Sequence, residues 1–202
     1  MATGIQSPHV VPLGGENLVQ RLAQGILNWL GWRLNVNLPA ERRFVLIGAP
    51  HTSNWDGILM ILVKAALGID LHFIGKDSLF RWPLGGLMRR AGGIPVNRRE
   101  RKNFTQQMVE LFQQREELVL VIAPEGTRSK TKRWKTGFYY IALGAGVPIL
   151  MAYIDYPRKQ IGLEKLLVPT GDITSDFEKI RAYYAPFKGK YPQKQGEISL
   201  SE

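Results

Sequence analysis

Apolar positions along this chain recur at two different periods, and the alternation between them outlines the fold. In the stretch 15–36, Leu18, Leu22, Ile26, Trp29 and Leu30 return every three or four residues, which predicts an amphipathic helix. Trp29, Trp32 and Arg33 fall near its end. Two readings of that helix are open. It docks on the core of the domain, or it lies in a bilayer interface with its tryptophans at headgroup depth. Beyond it, short apolar runs bounded by Gly, Pro and Asp read as strands: "RFVLIGA", "DLHFIG", "IPV", "LVLVIAP" and "VPILMAYID". Between them, "GILMILVKAAL", "SLFRWPLGGLMRRAGG", "ERKNFTQQMVELFQQRE" and "TGFYYIALGAG" read as helices, the second interrupted at Pro83. "SDFEKIRAYYAPF" reads as the last helix, opened by Ser175–Asp176 as its cap. Strands separated by helices predict one α/β domain over 37–188, a largely parallel or mixed sheet flanked by helices. Residues 1–14 are rich in Pro and Gly and are expected to be irregular; the polar residues 189–202 are expected to form a flexible tail.

Composition narrows the function classes. The 202 residues are 45% hydrophobic, which supports a sizeable core, and contain no cysteine, which excludes disulfides and thiolate metal sites. Lys and Arg outnumber Asp and Glu by 27 to 17, and residues 76–135 carry 14 of the cations against 6 carboxylates. That concentration favours an anionic partner: a nucleic acid, an anionic membrane surface or a phosphorylated substrate. No apolar run is long enough to cross a bilayer and no signal-peptide pattern opens the chain. The expected place is the cytoplasmic face of a membrane, held peripherally or monotopically.

Three stretches follow predicted strands, where open α/β sheets build their sites. In "PHTSNWD", His51 precedes Asp56 by five residues. On one continuous helix the two would not share a face. With His51 in the loop and Asp56 in the first turn of the next helix, capped by Ser53 or Asn54, the carboxylate can hold one ring nitrogen. The other nitrogen is then available as a general base for a substrate hydroxyl. The bland alternative, a capped loop with a hydrogen-bonded histidine, fits the spacing as well. A metal site lacks further ligands at useful spacing. In "PEGTRSK", Gly126 permits an unusual turn, Arg128 offers a bidentate fork to phosphate, and Thr127 and Ser129 add donors. "GGIPVNR" delivers Arg98 to the same sheet edge. No glycine-rich nucleotide loop is present.

Taken together and in this order, "HTSNWD", "IGKDSLFRWPLGGLMRRAGGIPVNR", "PEGTRS" and "VPIL" resemble the four blocks of the glycerophospholipid acyltransferase family, over roughly residues 40–155. Its best-known members are the 1-acylglycerol-3-phosphate acyltransferases. The resemblance implies transfer of a fatty acyl group from acyl-CoA or acyl-carrier protein to a lysophospholipid hydroxyl, with no cofactor and no metal. His51 matches the general base and Asp56 its orienter. Lys76, Arg98, Glu125, Gly126, Thr127 and Arg128 match residues associated with the acceptor phosphate, and Pro148 falls in the block associated with the acyl donor. Oxyanion donors are expected from backbone amides near His51 or Gly126. The second block departs from the family: Asn97 stands where many members carry Asp before the arginine. Other acceptors, such as glycerol-3-phosphate or a lyso-aminolipid, keep the same chemistry. A non-catalytic basic membrane- or nucleic-acid-binding protein is the rival class, and no nucleic-acid-binding motif supports its second form.

Overall fold

The computed structural model describes residues 17–83, 85–96 and 104–200. The predicted irregular segment 1–14, together with Asn97 and Arg98, lies outside the described residues. Seven strands form one sheet: β1 (Arg33–Val36), β2 (Arg43–Ala49), β3 (Leu71–Lys76), β4 (Gly93–Val96), β5 (Leu118–Ile122), β6 (Ile149–Asp155) and β7 (Gln160–Leu167). Their order is β1-β7-β6-β2-β5-β3-β4. All neighbours are parallel except β6 and β7, which are antiparallel. The chain is thus a single α/β domain with a mixed sheet, as its pattern predicts.

The central strand shows why the sheet is covered on both faces. In β2 the side chains alternate, as they must on a pleated strand. Val45 and Ile47 enter one core with Leu118, Leu120, Ile149 and Met151. Phe44 and Leu46 enter a second core with Val119, Leu150 and Ala152. A strand buried on both sides reads as an unbroken apolar run, the form expected in a parallel sheet layered between helices. The first core is closed by α4 (Phe104–Gln114), α5 (Gly137–Ala145) and α6 (Ile173–Tyr184), through residues such as Phe112, Phe138 and Phe177. The second is closed by α1 (Leu18–Trp29) and α2 (Trp55–Leu67), through Ala23, Leu27, Leu59 and Val63. A short helix, α3 (Gly85–Arg90), joins β3 to β4.

Several expectations change. The amphipathic helix occupies Leu18–Trp29, not 15–36: Gly31 adopts a left-handed φ of 80°, and the chain turns into strand β1. Trp32, expected beside Trp29 on a helix, is buried in the core. The helix docks through a face the periodicity did not single out. Ala23 and Leu27 are buried, whereas Leu18 and Trp29 are 71% and 85% exposed. Strands β1 and β7 have no counterpart in the sequence reading. The last helix is capped by Asp172, which accepts hydrogen bonds from the Thr174 and Ser175 amides; Asp176 lies inside it, fully buried. Asp176 instead takes bonds from Thr170, the Tyr139 hydroxyl and Lys179.

The predicted tail is not loose. The Tyr191 amide bonds Thr52 Oγ1 at 3.2 Å, the Trp134 amide bonds the Ser199 carbonyl at 2.8 Å, and Arg181 Nε bonds the Ile198 carbonyl at 2.8 Å. Residues 189–200 therefore belong to the domain rather than trailing from it.

Candidate active site

The site stands at the carboxyl ends of the central strands, where the parallel order brings loops from β2, β5 and β6 together. β2 ends at Ala49; Pro50 and His51 leave the sheet, and α2 begins at Trp55. This puts Asp56 in the first turn of α2, the placement that lets it reach back. Its Oδ2 lies 3.0 Å from His51 Nδ1. The same oxygen accepts the Thr52 and Ser53 amides, each at 2.9 Å. Its other oxygen, Oδ1, accepts the Tyr156 hydroxyl at 2.6 Å. Asp56 is thereby buried with four donors around it. Burial alone would raise its pKa, but the bonds from His51, Tyr156 and the Ser53 amide more than offset this, so it stays below the usual carboxylate value. A carboxylate held ionised in this way fixes the ring orientation and leaves Nδ1 as the protonated nitrogen. His51 Nε2 is free of hydrogen bonds among the described residues, and the side chain is partly exposed.

Glu125, which the resemblance associates with the acceptor phosphate, lies against the histidine loop. It is buried, its Oε1 accepts the His51 amide at 2.9 Å, and its Oε2 has no partner among the described residues. Burial raises its pKa, with the His51 amide offsetting part of the effect. Glu125 brackets the "PEGTRS" loop to the histidine loop. Gly126 sits at φ 65°, a left-handed turn that glycine adopts without strain, and a Cβ there would meet the Lys135 side chain at 2.7 Å. Thr127 Oγ1 accepts the Ser129 amide at 3.2 Å. Arg128 is exposed and donates through Nη1 to Asn54 Oδ1, so the two loops meet at their tips.

One expected member stands at the opposite end of the sheet. Pro148 precedes β6 at the amino end of the sheet, where its carbonyl accepts the Val45 amide at 3.0 Å. That is about six residues of strand, on the order of 20 Å, from His51. Lys76 ends β3, two strands across from β2. Arg98 lies outside the described residues. The amides expected as oxyanion donors are engaged: His51 with Glu125, Thr52 and Ser53 with Asp56, and Gly126 with the Ala123 carbonyl at 3.0 Å. No group of three metal-ligating side chains occurs among the described residues.

The model of the family described as Acyltransferase matches residues 33–155, more than half of the chain. The chain belongs to the acyltransferase family. It is 27% identical over 124 residues to the 1-acyl-sn-glycerol-3-phosphate acyltransferase of Escherichia coli K12, covering 58% of this chain and 49% of that one. It is 27% identical over 145 residues to the enzyme of the same name from Haemophilus influenzae, covering 67% and 59%. The chain thus spans about half the length of the curated relatives it matches. The crystal structure of the 1-acyl-sn-glycerophosphate (LPA) acyltransferase PlsC from Thermotoga maritima aligns with a TM-score of 0.57 at 21% identity, covering 83% of this chain and 74% of that one, and shares the fold.

Tyr156 falls one residue beyond the family match, and sequence reasoning missed it. It reaches Asp56 only because β6 lies beside β2 and delivers the next residue to the same edge. Its ring packs edge-on against Trp32, with centroids 5.1 Å apart. The C-terminal residues 188–195, also outside the match, adjoin an open pocket of about 440 Å3 lined by Ser53, Asn54, Trp55, Arg128, Tyr191 and Lys194, among others.

Proposed function

We propose that this acyltransferase moves a fatty acyl group from a thioester donor, acyl-CoA or acyl-carrier protein, to the free hydroxyl of a lysophospholipid, with 1-acylglycerol-3-phosphate as the first candidate. The observation that carries this reading is the His51–Asp56 pair, one ring nitrogen held by a buried carboxylate and the other open. The chain has no cysteine to serve as a thiolate nucleophile. The substrate hydroxyl then serves as nucleophile. His51 Nε2 takes its proton as the oxygen attacks the thioester carbonyl. The tetrahedral intermediate collapses, the C–S bond breaks, and the thiolate leaves and recovers the proton from His51. Arg128, exposed at the loop tip beside the dyad, supplies charge for the acceptor phosphate. No cofactor and no metal takes part.

The reaction is placed at a membrane surface, on the cytoplasmic face. Leu18, Leu22, Ile26 and Trp29 of α1 and Trp55, Ile58 and Ile61 of α2 are exposed, and the two helices pack side by side on one face of the sheet. An apolar band of this kind inserts at the headgroup boundary while the basic surface attracts anionic lipid. No helix among the described residues is long and apolar enough to cross a membrane.

The test is His51→Ala assayed with lysophosphatidate and acyl-CoA. Turnover should fall by at least about a thousandfold, the scale of losing a general base together with its positioning, while vesicle binding stays at the wild-type level. Wild-type turnover in that variant would exclude the mechanism.

A further inference from the structure

The C-terminal segment, expected to be a tail, crosses both motif loops and is fitted to each. At Gly189 a Cβ would lie 2.6 Å from Thr52 Oγ1 and 3.3 Å from Pro50, so the backbone rests directly on the histidine loop. At Gly196 a Cβ would lie 1.9 Å from the Thr131 carbonyl oxygen, so the backbone rests equally closely on the chain following "PEGTRS". Between these two points the segment is held by Tyr191 N to Thr52 Oγ1, by Gly189 N to Gln195 Oε1 at 3.2 Å, and by Gln195 Nε2 to the Phe187 carbonyl at 2.9 Å. Two of its cations pack on aromatic rings that line the pocket. Lys190 Nζ lies 4.6 Å from the centre of the Trp55 ring, and Lys194 Nζ lies 4.8 Å from that of Tyr191. Neither lysine forms an ion pair among the described residues. Lys194 lines the 440 Å3 pocket with Arg128, and no carboxylate is in that lining. Two cations and several hydroxyl and amide groups around an open pocket suit a compact dianion.

We propose that residues 188–196 form a fixed strap whose Lys194, together with Arg128, completes a binding site for a phosphate monoester. The inference rests on the acyl-transfer reading for the source of that phosphate, which is either the headgroup of the lysophospholipid acceptor or the phosphate of a coenzyme A donor. The strap makes the site two-sided. Arg128 approaches from the loop after β5 and Lys194 from the C-terminal segment, with the start of α2 between them.

Calorimetric titration of the full chain with sn-glycerol 3-phosphate, and with glycerol as the phosphate-free control, tests the site apart from catalysis. Lys194→Gln should weaken binding about tenfold, the usual effect of losing one charge-assisted contact, while Lys165→Gln, on the exposed surface of β7, stays within about twofold of wild type. Wild-type affinity in Lys194→Gln, an equal loss in Lys165→Gln, or no binding of the phosphate ester by the wild type overturns the proposal. Steady-state transfer assays identify the source. A raised acceptor KM with both acyl-CoA and a phosphate-free acyl thioester assigns the site to the lipid headgroup. A raised donor KM confined to acyl-CoA assigns it to the donor, and unchanged KM values for both substrates overturn the assignment to catalysis. If the wild type transfers no acyl group at all, the acyl-transfer reading fails, and the titration still decides whether the strap binds phosphate.

Discussion

Replacing Tyr156 with Phe removes one oxygen from the site and nothing else. The ring stays packed against Trp32, and Asp56 keeps its three contacts to Oδ2. What is lost is the 2.6 Å bond to Oδ1 of a buried carboxylate. Hydrogen bonds to charged groups contribute about 1.5–3 kcal/mol, and because Tyr156 is half-buried, water can replace part of it, which places the cost near the lower bound, about 1.5 kcal/mol. For a domain of this size that corresponds to a fall in Tm of roughly 3–6 °C. Asp56 also loses one of the bonds that hold its pKa down, so its own titration should move to higher pH. Since His51 remains tethered through Oδ2, kcat should fall only about three- to tenfold, far less than for His51→Ala. Thermal denaturation, NMR titration of the carboxylate and steady-state kinetics measure the three effects. An unshifted Tm together with an unshifted Asp56 titration would refute the role given to Tyr156. A loss of kcat as large as that of His51→Ala would refute the claim that Oδ2 alone orients the imidazole.

Three further outcomes are expected. Leu22→Asp and Trp29→Asp place a charge on the exposed face of α1 without touching its buried Ala23 and Leu27, so each should weaken partitioning onto anionic vesicles at least about tenfold in a flotation assay, with the circular dichroism spectrum unchanged. Asp176 is buried, which would raise its pKa, but bonds from Thr170, Lys179 and Tyr139 hold it at about 2, below the ordinary 3.8. Its stabilisation is therefore complete above the unfolded value and is lost as pH falls through the folded one. Relative to Asp176→Asn, the wild type should lose about 2 kcal/mol of unfolding free energy between roughly pH 5 and pH 1, measured by urea denaturation. Gly189→Val forces a side chain into Thr52 and Pro50; lifting the strap should cost about 1–3 kcal/mol in denaturation and raise the KM of the phosphate-bearing substrate.

The two halves of the site differ in how far the sequence revealed them. His51 and Asp56 are close in sequence, so a strand end, a short loop and a helix start suffice to bring them together. That geometry is local and legible. Glu125 is legible as part of a motif but not in its role, because only the pairing of β2 with β5 carries its loop beneath His51. Tyr156 and Lys194 belong to no motif. Tyr156 meets Asp56 across 100 positions and Lys194 shares its pocket with Arg128 and the start of α2, both distant in sequence, and nothing in the local pattern around "DYPRK" or "YPQKQG" marks them. A tyrosine directly after an apolar strand at the site edge was the one available signal.

For the fold, the chain by itself determined which segments are strands or helices wherever apolar residues repeat over many positions, as in β2, β5, β6, α2 and α4. That repeat reports a face to be buried, and burial is the dominant driving force for each element. It could not determine which apolar face goes inward. Helix α1 offers a face of large residues and a face of Ala23 and Leu27, and close approach to α2 selects the small one, leaving Trp29 and its neighbours outside. Nor could it supply strands β1 and β7, which are short or charge-interrupted and exist because neighbouring edges satisfy their backbone hydrogen bonds. The same rule turned a polar C-terminal stretch into a packed strap: its affinity is for two loops distant in sequence, and only the assembled sheet edge places those loops side by side.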